Sequence, residues 1–231
     1  MIDILIPVLG RPQLVAPLLQ NIEDATDVDY RVLFLCSVGD EAEIKAVNKA
    51  AAEYRLLDSP PANGQYAKKI NLGFRETDSE WVFAVADDVL FHPGWASTAL
   101  RHQVSVISVN DRGNSLVRKG LLAVHSLLRR SYIEEQGASL DGPGIIYHEG
   151  YSHNFVDCEL SVLARARGEF VFARNSIVQH MHPGFRRSPS DSTYEVGFRD
   201  FYSDQALFCE RMTGTYERDQ LVRLFGGGRR R

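Results

Sequence analysis

The sequence predicts an α/β fold with a mostly parallel, Rossmann-like sheet flanked by helices. Short apolar runs of strand length alternate with segments whose apolar residues recur at helical spacing, which is typical of a parallel sheet covered on both faces. The most informative run is Trp81 to Ala86, which is rich in aromatic and branched residues and ends abruptly in Asp87 and Asp88. Because this run is too short for a good helix, it indicates a strand buried on both faces.

The N-terminal part of the chain supplies most of this alternation. Apolar residues between Leu14 and Ile22 are spaced for one helix face, and turn signals such as Asn63-Gly64 separate later elements. In chain order the pattern predicts strands over 2–8, 30–36, 55–58 and 81–86, separated by helices over 13–22, 40–54 and 66–75.

The second part is less regular. Residues 138–156 are rich in Gly, Tyr, His and Asn, which suits a long loop over a site. Gly137 and Gly168 each follow a helical pattern and predict its end. The predicted strands are 104–109, 120–127, 169–173 and 177–180, and the predicted helices are 129–136, 157–167, 204–212 and 217–225.

Size and composition favour one globular unit. A chain of 231 residues can bury a sizeable core. We therefore expect a single compact domain over 1–185, a C-terminal helical extension or lid over 186–225, and a disordered Gly/Arg tail over 226–231. The net charge of 26 − 30 = −4 provides no global basic field, which argues against a nucleic-acid partner.

Cysteine usage and hydropathy predict a cytoplasmic protein. Cys36, Cys158 and Cys209 are widely spaced and suggest neither a disulfide framework nor a zinc cluster. No signal-peptide pattern opens the chain. No apolar stretch approaches the roughly 20 residues of a transmembrane segment. Formation of a homo-oligomer stays open.

The acidic pair is the first candidate site. In an open parallel sheet, ligands bind beyond the carboxyl ends of the strands, where Asp87 and Asp88 are expected. Adjacent carboxylates repel each other and are costly to desolvate unless a cation neutralises them. Mg²⁺ and Mn²⁺ prefer such oxygen ligands and often share them with phosphate oxygens. The alternative is that the pair starts a turn or caps the next segment.

Five segments in order resemble those of small GT-A glycosyltransferases, closest in pattern to the inverting family 2 type. Together they span roughly residues 2 to 182, and five motifs in register are more specific than any one of them. The matching segments are Ile4 to Pro12, Asn63 to Gly73, Ala86 to Val89 with Pro93-Gly94-Trp95, Phe155 to Leu160 with Arg165 and Gly168, and Val178 to His182.

The resemblance implies a metal-dependent transfer of a sugar from a nucleotide-diphospho-sugar, a UDP- or GDP-sugar in first place, to an acceptor hydroxyl with inversion. It makes Asp88 the direct metal ligand, while Asp87 binds the ribose, or the metal through water. The family often has a third acid where this chain has Val89, so another ligand is expected from His180 or His182. Imidazole favours Mn²⁺ over Mg²⁺. The alternative for both histidines is an ordinary surface or capping role, and for His182 this alternative is the stronger.

The resemblance also makes Asp157 the general base that takes the proton from the acceptor hydroxyl. The alternative for Asp157 and for Glu159 is a first-turn acid favoured by the helix dipole. Glu159 otherwise binds the acceptor or braces the loop. Trp95 and Tyr151 are expected either to stack on sugars or to lie in the core.

The nucleotide is expected to lie across the first strands. By resemblance, Pro7 and Leu9 border the base and ribose, and Arg11 lies near a phosphate or the base. Asp40 could accept a hydrogen bond from the base. Either Lys68 or Lys69 could approach the base or the diphosphate, although a lysine on an exposed helix is usually only solvated.

Two rival functions stay open at this point. A nucleotidylyltransferase also uses acidic metal ligands, but usually has a Gly-rich loop with Arg and Lys after its first strand. The segment 8–12 has one glycine, which counts against it. A non-catalytic nucleotide- or carbohydrate-binding module with the same fold is the other rival, because the third acid is missing at Val89.

Overall fold

The computed structural model of the chain describes residues 1–190, 194, 199–214 and 217. Its strands are β1 (Ile2–Pro7), β2 (Tyr30–Ser37), β3 (Glu53–Leu57), β4 (Trp81–Ala84), β5 (Val89–Phe91), β6 (Val106–Asn110), β7 (Ser126–Arg129) and β8 (Phe170–His180). Its helices are α1 (Val15–Ala25), α2 (Glu41–Lys49), α3 (Tyr66–Arg75), α4 (Trp95–Ala99), α5 (Ser115–Arg118), α6 (Arg130–Gln136), α7 (Val156–Ala166) and α8 (Phe201–Arg211).

The eight strands form one sheet in the order β3-β2-β1-β4-β7-β6-β8-β5. The pairs β1–β2, β1–β4, β2–β3 and β6–β8 are parallel. Strand β7 is antiparallel to both β4 and β6, and β5 is antiparallel to β8. As a consequence β1, β4, β6 and β8 all point the same way and end at one edge of the sheet. The predicted α/β class with a mostly parallel sheet is confirmed.

Both faces of the sheet are covered, as the continuous apolar strands predict. Along β1, Leu5 joins the core beneath α3 and α7, while Ile4 and Ile6 join the core beneath α1 and α4. Helix α3 approaches the sheet closely at Gly73, where an added Cβ would lie 3.0 Å from the side chains of Leu5 and Leu35. This close packing fixes the position of α3 against the sheet. The first residues of α3 reach the edge where the strands end.

Several predicted boundaries are wrong, each for a local reason. The helix predicted over 40–54 ends at Lys49, because Ala51 adopts a left-handed conformation with φ of 53° and lets β3 begin at Glu53. The strand predicted over 120–127 overlaps the observed one, Ser126–Arg129, at two residues only, because Gly120, with φ of 69°, follows the unpredicted helix α5. The strands predicted over 169–173 and 177–180 are one strand, β8, with an irregularity opposite Val109 and Asn110.

Helix α8 packs on the core that α3 and α7 also cover. Its Phe208 is buried and stacks on Phe155, with ring centroids 5.3 Å apart. The helix overlaps the one predicted over 204–212, whereas the helix predicted over 217–225 and the tail 226–231 lie outside the described residues except for Glu217. The division into a domain over 1–185 and an extension stays a prediction. None of the helices in the described part of the chain has the length and apolar character needed to cross a membrane.

Candidate active site

A cavity of about 560 Å³ opens at the edge where β1, β4, β6 and β8 end and β7 begins. This is the edge at which open α/β sheets bind ligands. Most of the predicted site residues meet there. The cavity is lined by Pro7, Leu9, Arg11, Lys69, Asp87, Asp88, Asp157, His180 and His182.

The acidic pair follows β4 and is held by a buried arginine. Arg11 Nη1 lies 2.8 Å from Asp87 Oδ1 and 3.5 Å from Asp88 Oδ2. Burial raises the pKa of Asp87 to about 7, although Arg11 opposes the shift. Burial also acts to raise the pKa of Asp88, but hydrogen bonds from His180 and Tyr194 and the charges of His180 and Arg11 outweigh it and hold that pKa below its usual range. Asp88 is therefore the carboxylate that stays ionised, as a metal ligand must.

His180 reaches the acidic pair because of strand register. Val89, the first residue of β5, pairs with His180, the last residue of β8. The N–H of Met181 also donates to the carbonyl oxygen of Asp88 at 2.8 Å. These contacts place His180 Nε2 3.2 Å from Asp88 Oδ1. Val89 itself turns into the core, so the position that is often acidic in the family contributes no ligand here.

His182 is oriented differently. Its Nδ1 accepts a hydrogen bond from the backbone N–H of Gly184 at 2.9 Å. Burial, together with the nearby His180, lowers the pKa of His182 to about 4, so the ring is neutral at pH 7. A neutral ring that accepts at Nδ1 carries its proton on Nε2, and that nitrogen has no lone pair to offer a metal. The geometry thus favours a capping role for His182.

The donor set fits a divalent cation that a substrate helps to coordinate. In the described part of the chain, no three His, Cys, Asp or Glu side chains converge to hold a metal ion by themselves. Asp88 and His180 form a pair, and Mg²⁺ or Mn²⁺ commonly takes one or two protein ligands together with phosphate oxygens and water.

Asp157 lies in the first turn of α7 and lines the same cavity. Phe155, directly before the helix, has φ of 67°, which is unusual for a residue with a side chain and is typical of functional loops. Asp157 Oδ1 accepts the N–H of Cys158 at 2.9 Å. Burial raises the pKa of Asp157 to about 6. A carboxylate with this pKa is ionised at neutral pH and basic enough to take a proton.

The structure does not bring the three predicted acceptor-binding residues into the cavity. Trp95 is buried in the core, where its Nε1 donates to Thr26 Oγ1 at 3.1 Å. Glu159 is buried and accepts hydrogen bonds from Tyr151 Oη at 2.8 Å and from Arg211 Nε at 2.8 Å. These side chains are satisfied inside the protein, so their predicted contacts with an acceptor are corrected to packing for Trp95 and bracing for Tyr151 and Glu159.

Two predicted nucleotide contacts are also absent from the cavity lining. Lys68 is exposed, whereas its neighbour Lys69 is buried and donates from Nζ to the carbonyl oxygen of Val8 at 2.7 Å. Burial lowers the pKa of Lys69. Asp40 caps α2 by accepting the N–H of Glu43 at 3.4 Å and does not line the cavity.

Three residues that hold or line the site were not predicted from the sequence. Glu43 is fully buried, and its Oε1 accepts the backbone N–H of Arg11 at 2.5 Å, which fixes the turn after β1. Tyr194 donates to Asp88, and its ring lies 4.9 Å from the Arg11 guanidinium. His153 lines the cavity. Glu43 stands in a helical pattern, and His153 and Tyr194 lie in polar segments. None of these patterns predicts the contacts that the residues make.

The loop that carries His153 is built by a carboxylate from α8. Asp204 accepts the backbone N–H groups of three consecutive residues, Ser152 at 2.8 Å, His153 at 2.9 Å and Asn154 at 2.7 Å. Asp204 is itself buried. His153 and Asn154 line the cavity and lead into α7, so α8 fixes this part of the cavity wall.

The chain has the fold of GT-A glycosyltransferases, as the resemblance implied, and its likeness to solved structures shows this. The mannosyltransferase PcManGT from Pyrobaculum calidifontis, in complex with GDP-Man and Mn²⁺, matches with a TM-score of 0.65 and 14% identity. The match covers 89% of this chain and 63% of PcManGT, so this chain spans less than two thirds of that protein.

Two further solved structures share the fold. Glucosyl-3-phosphoglycerate synthase from Mycobacterium tuberculosis, in complex with Mn²⁺, UDP-glucose and phosphoglyceric acid, matches with a TM-score of 0.60 and 13% identity over 91% of this chain and 79% of that one. Residues 1–349 of S. aureus TarS match with a TM-score of 0.64 and 12% identity over 97% and 69% of the two chains. The sequence itself matches no family model and no curated protein. At these identities the likeness establishes the fold.

Proposed function

We propose that the protein is a metal-dependent glycosyltransferase that moves a sugar from a nucleotide-diphospho-sugar to an acceptor hydroxyl. One observation carries the proposal: the Asp88–His180 pair and Asp157, a carboxyl group with a raised pKa, face the same cavity at the carboxyl edge of a GT-A sheet. The fold supplies the class, and this pairing of a cation site with a separate base supplies the chemistry. The cytoplasm remains the expected location.

The donor would occupy the half of the cavity next to β1. Pro7 and Leu9 offer it apolar contacts, and Arg11 offers a guanidinium to the diphosphate. Lys69 acts by holding Val8, since its ammonium already donates to that carbonyl group. Solved relatives of this fold hold GDP-Man or UDP-glucose with Mn²⁺, which makes these two donors the first to test.

Asp88 and His180 would hold Mn²⁺ or Mg²⁺. When bound, the cation compensates the charge of the leaving diphosphate as a Lewis acid. Arg11 lies beside both carboxylates and would add positive charge to the same oxygens. Asp87, whose Oδ1 accepts from Arg11, keeps this guanidinium in place.

Asp157 would take the proton from the acceptor hydroxyl as that oxygen attacks the anomeric carbon. A single positioned base that lines the same cavity as the acidic pair supports direct displacement with inversion of configuration. NMR of the glycoside product tests this, because a product that keeps the donor's anomeric configuration contradicts single displacement.

A non-catalytic nucleotide-binding module is the second candidate. Two observations favour it, namely the buried Val89 where a third acid is frequent and the lack of three converging metal ligands in the described residues. Such a module would bind a nucleotide without turnover. The two candidate functions differ in whether Asp157 accepts a proton from an acceptor hydroxyl.

The first experiment is a thermal-shift panel with UDP, GDP, CDP, dTDP and their common sugar conjugates, each with and without Mn²⁺. The glycosyltransferase proposal predicts stabilisation by one nucleotide class that depends on the metal. Release of the nucleoside diphosphate from that donor then separates an enzyme from a binding module. Absence of any response would argue against both.

A further inference from the structure

His125 is a buried polar residue in the wall of the cavity. Only 2% of the residue is exposed to solvent, and it belongs to the cavity lining. Within the described part of the chain, neither of its ring nitrogens has a hydrogen-bond partner. A buried ring nitrogen without a partner costs stability, so its retention in a cavity wall indicates a ligand that supplies the partner.

The sheet places His125 beside the acidic pair. Strand β7 runs antiparallel to β4, and its first residue, Ser126, pairs with Ala84 at the end of β4. Because His125 directly precedes Ser126, it lies at the edge of the sheet where the acidic pair follows β4. The ring of His125 also meets the ring of His180 edge-on, with ring centroids 4.8 Å apart. His125 is therefore a neighbour of the proposed cation site.

The segment before His125 is tied to the turn that carries the proposed base. Ser161 Oγ accepts the backbone N–H of Ala123 at 2.9 Å and donates to the carbonyl oxygen of Asp157 at 2.6 Å. The carbonyl oxygen of His125 accepts the N–H of Val109 in β6 at 3.4 Å, which holds the other side of the segment. One short segment thus links the edge of the sheet to the first turn of α7.

The transferred sugar has to lie between the cation site and the base. Its anomeric carbon is bonded to the diphosphate, whose charge a cation at Asp88 and His180 would compensate. The same carbon is attacked by the hydroxyl oxygen whose proton Asp157 would take. Since His125 packs against His180 and its segment is tied to the turn of Asp157, the sugar would lie within reach of the His125 ring.

We infer that His125 binds a hydroxyl group of the transferred sugar and thereby helps to select that sugar. This inference rests on the proposed function. A buried imidazole without a charged partner is uncharged, so one of its nitrogens donates and the other accepts. A hydroxyl group can complete either nitrogen, whereas a phosphate oxygen can only accept. A sugar that lacks this hydroxyl would leave the nitrogen without a partner and would be rejected.

The first test measures what the sugar contributes to binding. Calorimetry gives the Kd of UDP, GDP, UDP-glucose and GDP-mannose, each with Mn²⁺, for the wild type and for His125→Phe, which keeps a ring and removes both nitrogens. Binding of the conjugate that the wild type prefers should weaken at least tenfold, which is about 1.4 kcal/mol, and binding of its nucleoside diphosphate less than twofold. An equal change in both Kd values overturns the inference.

His92 supplies a matched control. Its Nε2 is also buried without a hydrogen-bond partner among the described residues, but His92 is not part of the cavity lining. His92→Phe should leave all four Kd values within twofold of those of the wild type. A loss of conjugate binding as large as that in His125→Phe overturns the inference, because it would come from a general change in packing.

Deoxy analogues of the preferred conjugate identify the hydroxyl group. The wild type should bind one of the 2-, 3-, 4- and 6-deoxy analogues at least tenfold more weakly than the parent conjugate. His125→Phe should bind that analogue and the parent with Kd values within twofold of each other. Equal discrimination by the two proteins overturns the inference.

A measurement on the wild type alone decides the matter if His125→Phe does not fold. In NMR spectra of the histidine ring nitrogens recorded with Mg²⁺, the His125 signals should shift further with the sugar conjugate than with the nucleoside diphosphate. Equal shifts overturn the inference.

The failure of this inference and that of the proposed function give different results. If the wild type binds none of the nucleotides or conjugates, the proposed function fails and the inference fails with it. If the wild type binds them with metal and His125→Phe binds the conjugate equally well, the inference alone is overturned.

Discussion

The carboxylate of Asp204 accepts the backbone N–H of Asn154 at 2.7 Å, across 50 residues of chain. Together with the N–H groups of the two preceding residues, this contact satisfies three neighbouring donors with one side chain. Backbone donors that are buried without a partner cost stability, and charged acceptors make the strongest such bonds. The C-terminal helix α8 is therefore a structural part of the cavity wall.

Asp204→Asn should loosen the loop 152–154 while the sheet stays folded. The amide can accept at one oxygen only and turns an NH₂ group towards the remaining donors, at a cost of about 2 kcal/mol or more. Hydrogen exchange of peptides covering 152–154 should become at least tenfold faster. Glu210→Gln, an equal loss of charge at an exposed site on the same helix, is the control. Unchanged exchange in Asp204→Asn would show that the three bonds do not hold the loop.

Asp157→Asn should abolish turnover and leave nucleotide affinity intact. The amide cannot accept the hydroxyl proton, and loss of a general base typically costs about 10²- to 10⁴-fold in rate. In the wild type, kcat should fall as the pH drops below about 6, because burial raises the pKa of Asp157 to about 6 and the protonated carboxyl is no base. Steady-state kinetics between pH 5 and 8 check the profile, and a flat profile would remove Asp157 from the reaction.

Asp157→Asn should also change the free energy of unfolding, and this effect can be measured without an activity assay. The pKa of Asp157 is raised from 3.8 to about 6, so the native state binds this proton more tightly than the unfolded state does. Stability is therefore lost as the pH rises through that window, and the whole cost is present above pH 6. Asp157→Asn should raise the free energy of unfolding by about 1–3 kcal/mol at pH 7.5.

A purely structural role for Asp157 gives the opposite sign. An acid in the first turn of a helix stabilises it through the helix dipole by about 0.3–1 kcal/mol, so its removal would destabilise the protein. Glu41, an exposed acid in the first turn of α2, serves as the control, since Glu41→Gln should lower stability slightly. Urea denaturation at pH 7.5 compares the two variants. Destabilisation by Asp157→Asn would support the helix-capping alternative.

The position of a residue at the end of an apolar strand was the most reliable signal in the sequence. Asp88 and His180 follow or end buried strands, and parallel strands bring such residues to one edge whatever the intervening chain does. Arg11 could be placed on the same basis, since it lies just after β1. These residues line the cavity because the sheet puts them there.

Side-chain direction was the part that sequence could not supply. Trp95, Tyr151 and Glu159 have the chemistry of sugar-binding residues, but each lies on a helix or loop whose rotation sets whether it faces the cavity or the core. Asp204 and Tyr194 act on parts of the chain more than 45 residues away. Contacts of this range depend on tertiary packing and leave no local pattern.

The two histidines at the end of β8 differ in what they can offer a metal. His180 Nε2 lies 3.2 Å from Asp88 Oδ1, so the two groups could share one cation after a small separation. His182 accepts from Gly184 at Nδ1, which leaves a proton on Nε2 in the neutral ring. His180→Ala should therefore weaken Mn²⁺-dependent binding of UDP or GDP by about tenfold or more, equivalent to about 1.4 kcal/mol. His182→Ala should change it by less than about threefold, which is about 0.7 kcal/mol.

Calorimetric titrations of the nucleotide with Mn²⁺ and with EDTA check this difference. In EDTA the two variants should bind alike, because the remaining contacts come from the side of Pro7 and Arg11. A larger loss from His182→Ala than from His180→Ala would mean that the ring of His182 turns and releases Gly184 when the metal binds. Loss of binding in both variants without metal would instead indicate that β8 holds the nucleotide directly, and the cation would then have no part in affinity.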